Sequence, residues 1–376
     1  MIMPAAISFD EASSAGSPVR VLGDDGSLDS ERDPGLSPAQ IVELYRHLVT
    51  TRIVDERLLM LQRQGRIGFH VGSLGEEAAI VGPAYALAPQ DWLFPCYREF
   101  GAALLRGLGF ERLMDNVFGN AGDTVQGRQM PDHYTYRRGN FASTSSPVGT
   151  QLPHAVGAAW AAKLRGEDVA ALAYFGDGAT STGDFHSALN FAAVFRVPAI
   201  FLCRNNGWAI STPVSRQAAT TTLAERAVAY GVPGVRVDGN DALALVAVTR
   251  EARERGVRGE GPTLIEAVTY RMGAHTSTDD PHRYRAERDL KPWVERDPIE
   301  RVRRYLTRRG DWNQSLEDDL RTEVDGRLRL AVAAAEATRM PPLESLHEDV
   351  FAELSWNLEE QRTQLLGGAR PAAHRG

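Results

Sequence analysis

The sequence predicts an α/β protein: a doubly wound, mostly parallel sheet with a helical C-terminal extension. Three observations lead there. Between residues 91 and 270 short apolar runs recur, each ends in a glycine-rich or polar loop, and segments of helical spacing follow, which is the alternation of βαβ units. The chain has 376 residues, 43% of them hydrophobic, enough to bury a sizeable core. Charged residues make up 24%, an ordinary share for a globular protein.

The elements follow in order. Residues 1–36 are rich in Gly, Ser, Pro and Asp without apolar periodicity, and read as a flexible arm available to lie against a partner. Asp10, Glu11, Asp24, Asp25, Asp29, Glu31 and Asp33 crowd this stretch, which argues against a mitochondrial presequence; a secretory signal's basic start and apolar core are missing too. Ser37-Pro38 supplies an N-cap and a proline for the first helical position. Ile41, Leu44, Tyr45 and Leu48 continue at helical spacing, and Gly65 is the expected stop. Five strands are expected: Trp92 to Pro95, leading into Tyr97-Arg98; Val169 to Phe175, into Gly176-Asp177-Gly178; Pro198 to Cys203, into Arg204-Asn205-Asn206-Gly207; Val235 to Asp238, into Gly239-Asn240; and Thr263 to Tyr270. The last opens into a long polar loop, Met272 to Leu290, with no structure of its own and the character of a functional lid. Residues 291–366 read as helical, with Trp293, Ile299, Val302 and Leu306 as apolar contacts, and 367–376 as a loose tail. One domain is thus expected over 37–366.

Composition narrows the function classes. Net charge is −7, from 42 basic and 49 acidic residues, whereas nucleic-acid binders carry a basic excess. Two cysteines, Cys96 and Cys203, make no disulfide framework and point to a reducing, cytoplasmic location. No apolar run approaches the ~18 residues of a membrane span; the longest, Ala78 to Ala88, is broken by Gly82 and Pro83.

Parallel strands with helical crossovers bring every strand-to-helix loop to one edge of the sheet, where ligands bind. The GDG at 176–178 and the NN at 205–206 are separated by the 26 residues 179–204, within which Phe185, Leu189, Ala192 and Phe195 mark one helix face. Asp177 and Asn206 then face each other across neighbouring loops. A carboxylate, an amide oxygen and backbone carbonyls are hard oxygen ligands suited to Mg²⁺ that also grips phosphate. Glycines at 176, 178 and 207 let backbone approach a pyrophosphate closely, and a helix N-terminus favours its charge. Asp between glycines is common in turns; motif, spacing, strands and intervening helix together make the thiamine diphosphate signature.

On YFGDGATSTGDFHSALNFAAVF, FLCRNNGWAISTP, GRQMPDHY, SSPVGTQLPHAVGAAWAAK and RMGAHTSTDDPHRY, the chain resembles the alpha subunits of branched-chain 2-oxo acid (3-methyl-2-oxobutanoate) dehydrogenases, from about residue 37 to about 366. Pyruvate dehydrogenase alpha subunits share GDG and NN but look different around GRQMPDHY and SSPVGTQ. The resemblance implies the diphosphate-binding half of a thiamine-diphosphate-binding fold. It also implies oxidative decarboxylation of branched 2-oxo acids, with acyl transfer to the lipoyl group of a transacylase. Asp177, Asn206 and the Trp208 carbonyl match the family's Mg²⁺ ligands, although the family commonly has Glu and Tyr where Asp177 and Trp208 stand. Tyr97, Arg98, Ser146, Gly178, Ala179, Arg204 and His275 match positions that hold the cofactor. Ser145, Pro147, Thr150 and Gln151 match a monovalent-cation site, K⁺. A chain of this length carries one half of the site, so a beta subunit is expected to supply the rest and its catalytic Glu, in an α₂β₂ heterotetramer.

Taken by themselves, Arg98 and Arg204 offer planar forks for phosphate oxygens. His275, in a loop of Thr, Ser and Asp, reads as an imidazolium for phosphate or as the catalytic proton-transfer group; a solvent-exposed loop histidine is the competing reading. His70 is expected to line the substrate approach and His154 to be packed, while His133 has no assignment. Cys96 reads as a small apolar residue. A nicotinamide-binding Rossmann site would need G-x-G-x-x-G, and GDGATSTG lacks its final spacing. A non-catalytic scaffold is disfavoured by intact Asp177, Asn206, Arg204 and His275.

Overall fold

The computed structural model describes residues 16–348 and 351–368. The first half contains α1 (Pro38–Arg63), α2 (Glu77–Ala86), β1 (Trp92–Phe94), α3 (Phe100–Leu105), α4 (Phe110–Phe118), α5 (Gln151–Leu164), β2 (Ala171–Gly176) and α6 (Gly183–Val194). Then come β3 (Ala199–Asn205), a two-strand hairpin of β4 (Trp208–Ala209) and β5 (Thr212–Pro213), β6 (Gly234–Asp238), α7 (Ala242–Val257) and β7 (Thr263–Val268). The C-terminal part is helical as expected: α8 (Lys291–Glu295), α9 (Pro298–Arg309), α10 (Gln314–Ala337) and α11 (Trp356–Gly367). Residues 369–376, most of the expected tail, lie outside the described residues.

The central sheet runs β1-β2-β3-β7-β6, every neighbouring pair parallel. Strand residues alternate between two cores, as the period of 2 requires. Leu172, Tyr174, Ile200 and Leu202 pack with α1, α2 and α7, while Ala173, Phe175, Phe201 and Cys203 pack with α5 and α6. Helices on both faces make the sheet doubly wound, and the five expected strands are the five of this sheet, the β4–β5 hairpin being additional.

The α1 start is the one the sequence signals. Ser37 accepts from the Gln40 amide and Gln40 answers on the Ser37 amide, a complete capping box, with Pro38 in the first turn. On α2, a Cβ at Gly82 would lie 3.0 Å from the Leu245 side chain and 3.2 Å from the Ala242 carbonyl, so glycine lets α7 pack close. Trp293 stacks on Tyr270, and Ile299, Val302 and Leu306 are buried.

The N-terminal stretch departs from the flexible arm expected over 1–36. Residues 1–15 lie outside the described residues, but from Gly16 the chain is strapped to its own domain. Val19 bridges Val237 on β6, and Val21, Leu22 and Leu36 are buried. Asp241 caps α7 and accepts from the Val21 and Leu22 amides at 2.7 and 2.6 Å. Two of the acids crowding this stretch meet distant arginines: Asp24 pairs with Arg296 and Arg301, Asp25 with Arg308. Sequence periodicity cannot show such complementary charge about 280 residues away.

Candidate active site

In the β2–β3 register Gly176 pairs with Arg204, so the turn after β2 and the end of β3 emerge side by side. Asp177 opens a 3₁₀ turn, Asp177–Ser181, and Thr182 caps α6 behind it. Both Asp177 and Asn206 are buried and line one cavity of about 450 Å³ at the carboxyl edge of the sheet. Asp177 accepts from the Gln217 amide at 2.8 Å, yet burial pushes its carboxyl up to about 6. The Asn206 amide nitrogen donates to Glu76 at 3.0 Å, leaving its oxygen, which accepts the Trp208 N–H at 3.2 Å, a second lone pair. The Trp208 carbonyl accepts from Arg271 at 3.3 Å. These are the three hard oxygens anticipated for Mg²⁺. Among the described residues, no group of three or more His, Cys, Asp or Glu offers an alternative metal site. A Cβ at Gly178 would lie 2.8 Å from that of Ala209, so glycine lets the β4–β5 hairpin fold over the turn.

Tyr97, Arg98, Ser146, Gly178, Ala179, Arg204 and His275 all line this cavity. Their bonding revises two expectations. Arg204 is fully enclosed and its two terminal nitrogens are engaged by Glu76 (2.6 Å) and Glu99; only its Nε has no partner. His275 is not an imidazolium. Burial and the Arg98 and Arg271 guanidiniums push it down to about 3, and Arg98 lies 2.9 Å from Nδ1. A guanidinium can only donate, so Nδ1 accepts and the ring proton sits on Nε2. Tyr97 meets the His275 ring edge-on at 6.0 Å.

Ser145, Pro147, Thr150 and Gln151 also come together. The Ser145 and Thr150 hydroxyls are 2.7 Å apart, and Thr150 donates to the Pro147 carbonyl at 3.2 Å. Gln151 donates to the Tyr174 carbonyl at 2.7 Å, while its own buried amide oxygen has no partner.

The remaining singled-out residues divide. His133 lines the cavity and contacts the Ser146 hydroxyl. The His70 ring is buried between Asp55 and Asp132, and the residue borders a second cavity of about 640 Å³ that shares Thr276 with the first. His154 is exposed on α5 rather than packed, because the helix turns that face away from the sheet. Cys96 is buried and its thiol is pushed up to about 12, by burial first and Glu99 second, so no thiolate forms. The loop from Met272 to Leu290 has structure after all, with 3₁₀ turns at Pro281–Arg283 and Glu287–Asp289. Arg285 holds it by donating to the Arg271, Met272 and Gly273 carbonyls.

Sequence reasoning missed Glu76, Glu99, Arg271 and Gln217. Arg271 had a usable signal: like Arg204, it closely follows an apolar strand. Nothing local marks Glu76, and only the fold shows it bridging Arg204 and Asn206.

The dehydrogenase E1 component family model matches residues 45–344. The 2-oxoisovalerate dehydrogenase subunit alpha 2 of Arabidopsis thaliana is 43% identical over 91% of this chain and 73% of its own. The 3-methyl-2-oxobutanoate dehydrogenase subunit alpha of Mycobacterium tuberculosis is 44% identical over 93% of each. A pyruvate dehydrogenase E1 component subunit alpha of Staphylococcus aureus is 40% identical over 91% of each.

Proposed function

Because the chain belongs to the dehydrogenase E1 component family, we propose that it is the alpha subunit of a branched-chain 2-oxo acid dehydrogenase. With a beta subunit it decarboxylates acids such as 3-methyl-2-oxobutanoate and passes the acyl group to a lipoylated transacylase. The observation that carries the reading is a buried cavity where an acidic turn and an amide turn meet cationic N–H groups left without partners. Arg204 Nε and Arg271 Nε are both such orphans, and buried donors without acceptors fit an absent anion.

Thiamine diphosphate, when bound, supplies the nucleophilic carbon and electron sink. The chain binds and orients it. Asp177, Asn206 and the Trp208 carbonyl would hold Mg²⁺, with the desolvated Asp177 carboxyl as the charge that a cation relieves. Arg98 and Arg271 offset the remaining diphosphate charge, Arg204, neutralised by Glu76 and Glu99, offers only its Nε–H, and His275 offers a neutral Nε2–H donor. The orphaned Gln151 oxygen, two hydroxyls and the Pro147 carbonyl suit K⁺.

A partner is required because Asp177 is the one acidic residue lining the cavity among the described residues, and it is spoken for by the metal. The carboxylate that activates the cofactor ring therefore comes from the beta subunit. Trp160, Phe191 and Phe195 form an aromatic cluster on α5 and α6, with Leu164 and Val194 exposed beside it; an apolar face of this kind suits a permanent partner. Two buried free cysteines accord with a reducing compartment and a cytoplasmic enzyme.

Reconstitution with a beta subunit, thiamine diphosphate and Mg²⁺ is the test. The kcat/KM for 3-methyl-2-oxobutanoate is expected to exceed that for pyruvate by at least about tenfold, the scale on which an apolar pocket discriminates by methylenes. A pyruvate preference would reassign the substrate, and turnover by this chain alone would refute the shared site.

A further inference from the structure

We propose that Asp55, His70 and Asp132 form a charged pin that positions the wall of the reaction cavity, with His70 a positioning residue for the decarboxylation. The proposal rests on the function argued above. The His70 ring is 2.6 Å from Asp55 through Nε2 and 3.1 Å from Asp132 through Nδ1. Side-chain exposures are 1% for His70, 8% for Asp55 and 0% for Asp132. A neutral imidazole has one N–H and would turn a lone pair on one of the carboxylates; only the imidazolium satisfies both. Burial opposes that charge, but the two carboxylates outweigh it and lift His70 to about 10.

The pin ties to α1, through Asp55, two wall segments that lack regular structure, those of His70 and Asp132. Asp132 also accepts from the Val71 amide at 2.8 Å, and Asp55 from the Ser73 amide at 2.9 Å, so each carboxylate also grips the backbone that follows the histidine. The flanking Phe69 and Val71 line the cavity. Asp132 precedes His133, which touches Ser146 in the same cavity. The His70 peptide brackets Ser277, receiving its amide at 2.9 Å and donating to its hydroxyl at 3.1 Å, two residues beyond His275. Gly72 accepts from Arg98 at 2.6 Å, and Arg98 in turn holds His275. One ring thus sets the mutual placement of Phe69, Val71, His133 and His275. Coil lacks the hydrogen-bond ladder that holds helices and strands in place, and a charge fixed at two points substitutes for it. A buried ion triad adds little net stability over apolar packing, so its value here lies in geometry.

The test uses the full chain assembled with a beta subunit, comparing wild type, Asp132→Asn and His70→Gln. Asp132→Asn keeps the shape and the His70–Asp55 pair, so folding persists even if His70→Gln fails to fold. For Asp132→Asn, thiamine diphosphate affinity by titration is expected within about threefold of wild type. Its kcat per bound cofactor is expected to fall about tenfold or more, as misplacement of reacting groups costs. Unchanged kcat per bound cofactor, or a loss of affinity in proportion to kcat, would overturn the proposal. Histidine ¹⁵N spectra of wild type at pH 8 should show both His70 nitrogens protonated; a singly protonated ring overturns it too. A wild type that turns over no 2-oxo acid would refute the functional reading instead.

Discussion

Asp177→Asn is expected to stabilise the isolated chain while removing its hold on thiamine diphosphate and Mg²⁺. Burial lifts the Asp177 carboxyl from 3.8 to about 6, so the folded chain binds more protons than the unfolded one between those values. Stability then falls as pH rises through that window and stays lower above it. The shift corresponds to about 3 kcal/mol at 1.36 kcal/mol per pKa unit. Asparagine keeps the shape and can still accept from Gln217 while carrying no charge to desolvate. A gain of about 1–3 kcal/mol at pH 7 is expected in urea unfolding, vanishing below pH 4. Calorimetric affinity for the cofactor with Mg²⁺ should drop at least about 100-fold, or roughly 2.7 kcal/mol, because the only carboxylate ligand is gone. Equal affinity in the two proteins would remove the metal site from the mechanism. In the wild type, affinity should decline as pH falls below about 6, where protons compete for the carboxylate.

Arg204→Met is expected to act in the opposite direction, with a loss of about 3–5 kcal/mol, the usual result of deleting one partner from a buried charge cluster. Glu76 and Glu99 are fully enclosed, and Arg204 is the cation within bonding distance of both; Arg98 approaches Glu76 only to 3.8 Å. Two carboxylates left facing each other must take up protons or open the site. The deficit should therefore shrink as pH is lowered toward 5 and grow toward 8, measured by denaturant unfolding. Adding Glu99→Gln should recover part of it. A deficit independent of pH would mean that packing, rather than charge, is what Arg204 supplies.

Much of this was legible in the chain itself. The five strands, the Ser37-Pro38 helix start and the pairing of Asp177 with Asn206 follow from period and punctuation, which are local properties. Tyr97, Arg98 and Arg204 could be placed because residues just past a parallel strand must emerge at one edge. Partnership could not. Arg204 looked like a phosphate fork, and only the fold shows Glu76, 128 residues away, engaging it. His275 looked cationic until two guanidiniums converged on it from different elements. The strap at 16–36 read as a flexible arm because its counter-charges lie far along the chain, on α9 and just before it. The pin around His70 joins residues from α1, a turn and a loop, and no periodicity spans those.

Both margins of the sheet end in a single borrowed bridge, Val19 against β6 and Phe141 against β1. Each shields main-chain groups that would otherwise recruit a foreign strand. Deleting the first 24 residues would strip one margin, together with the buried Val21 and Leu22, and should yield a protein that clumps on storage, visible as rising light scattering. Purification handles are thus better appended ahead of Met1 than traded for the opening residues.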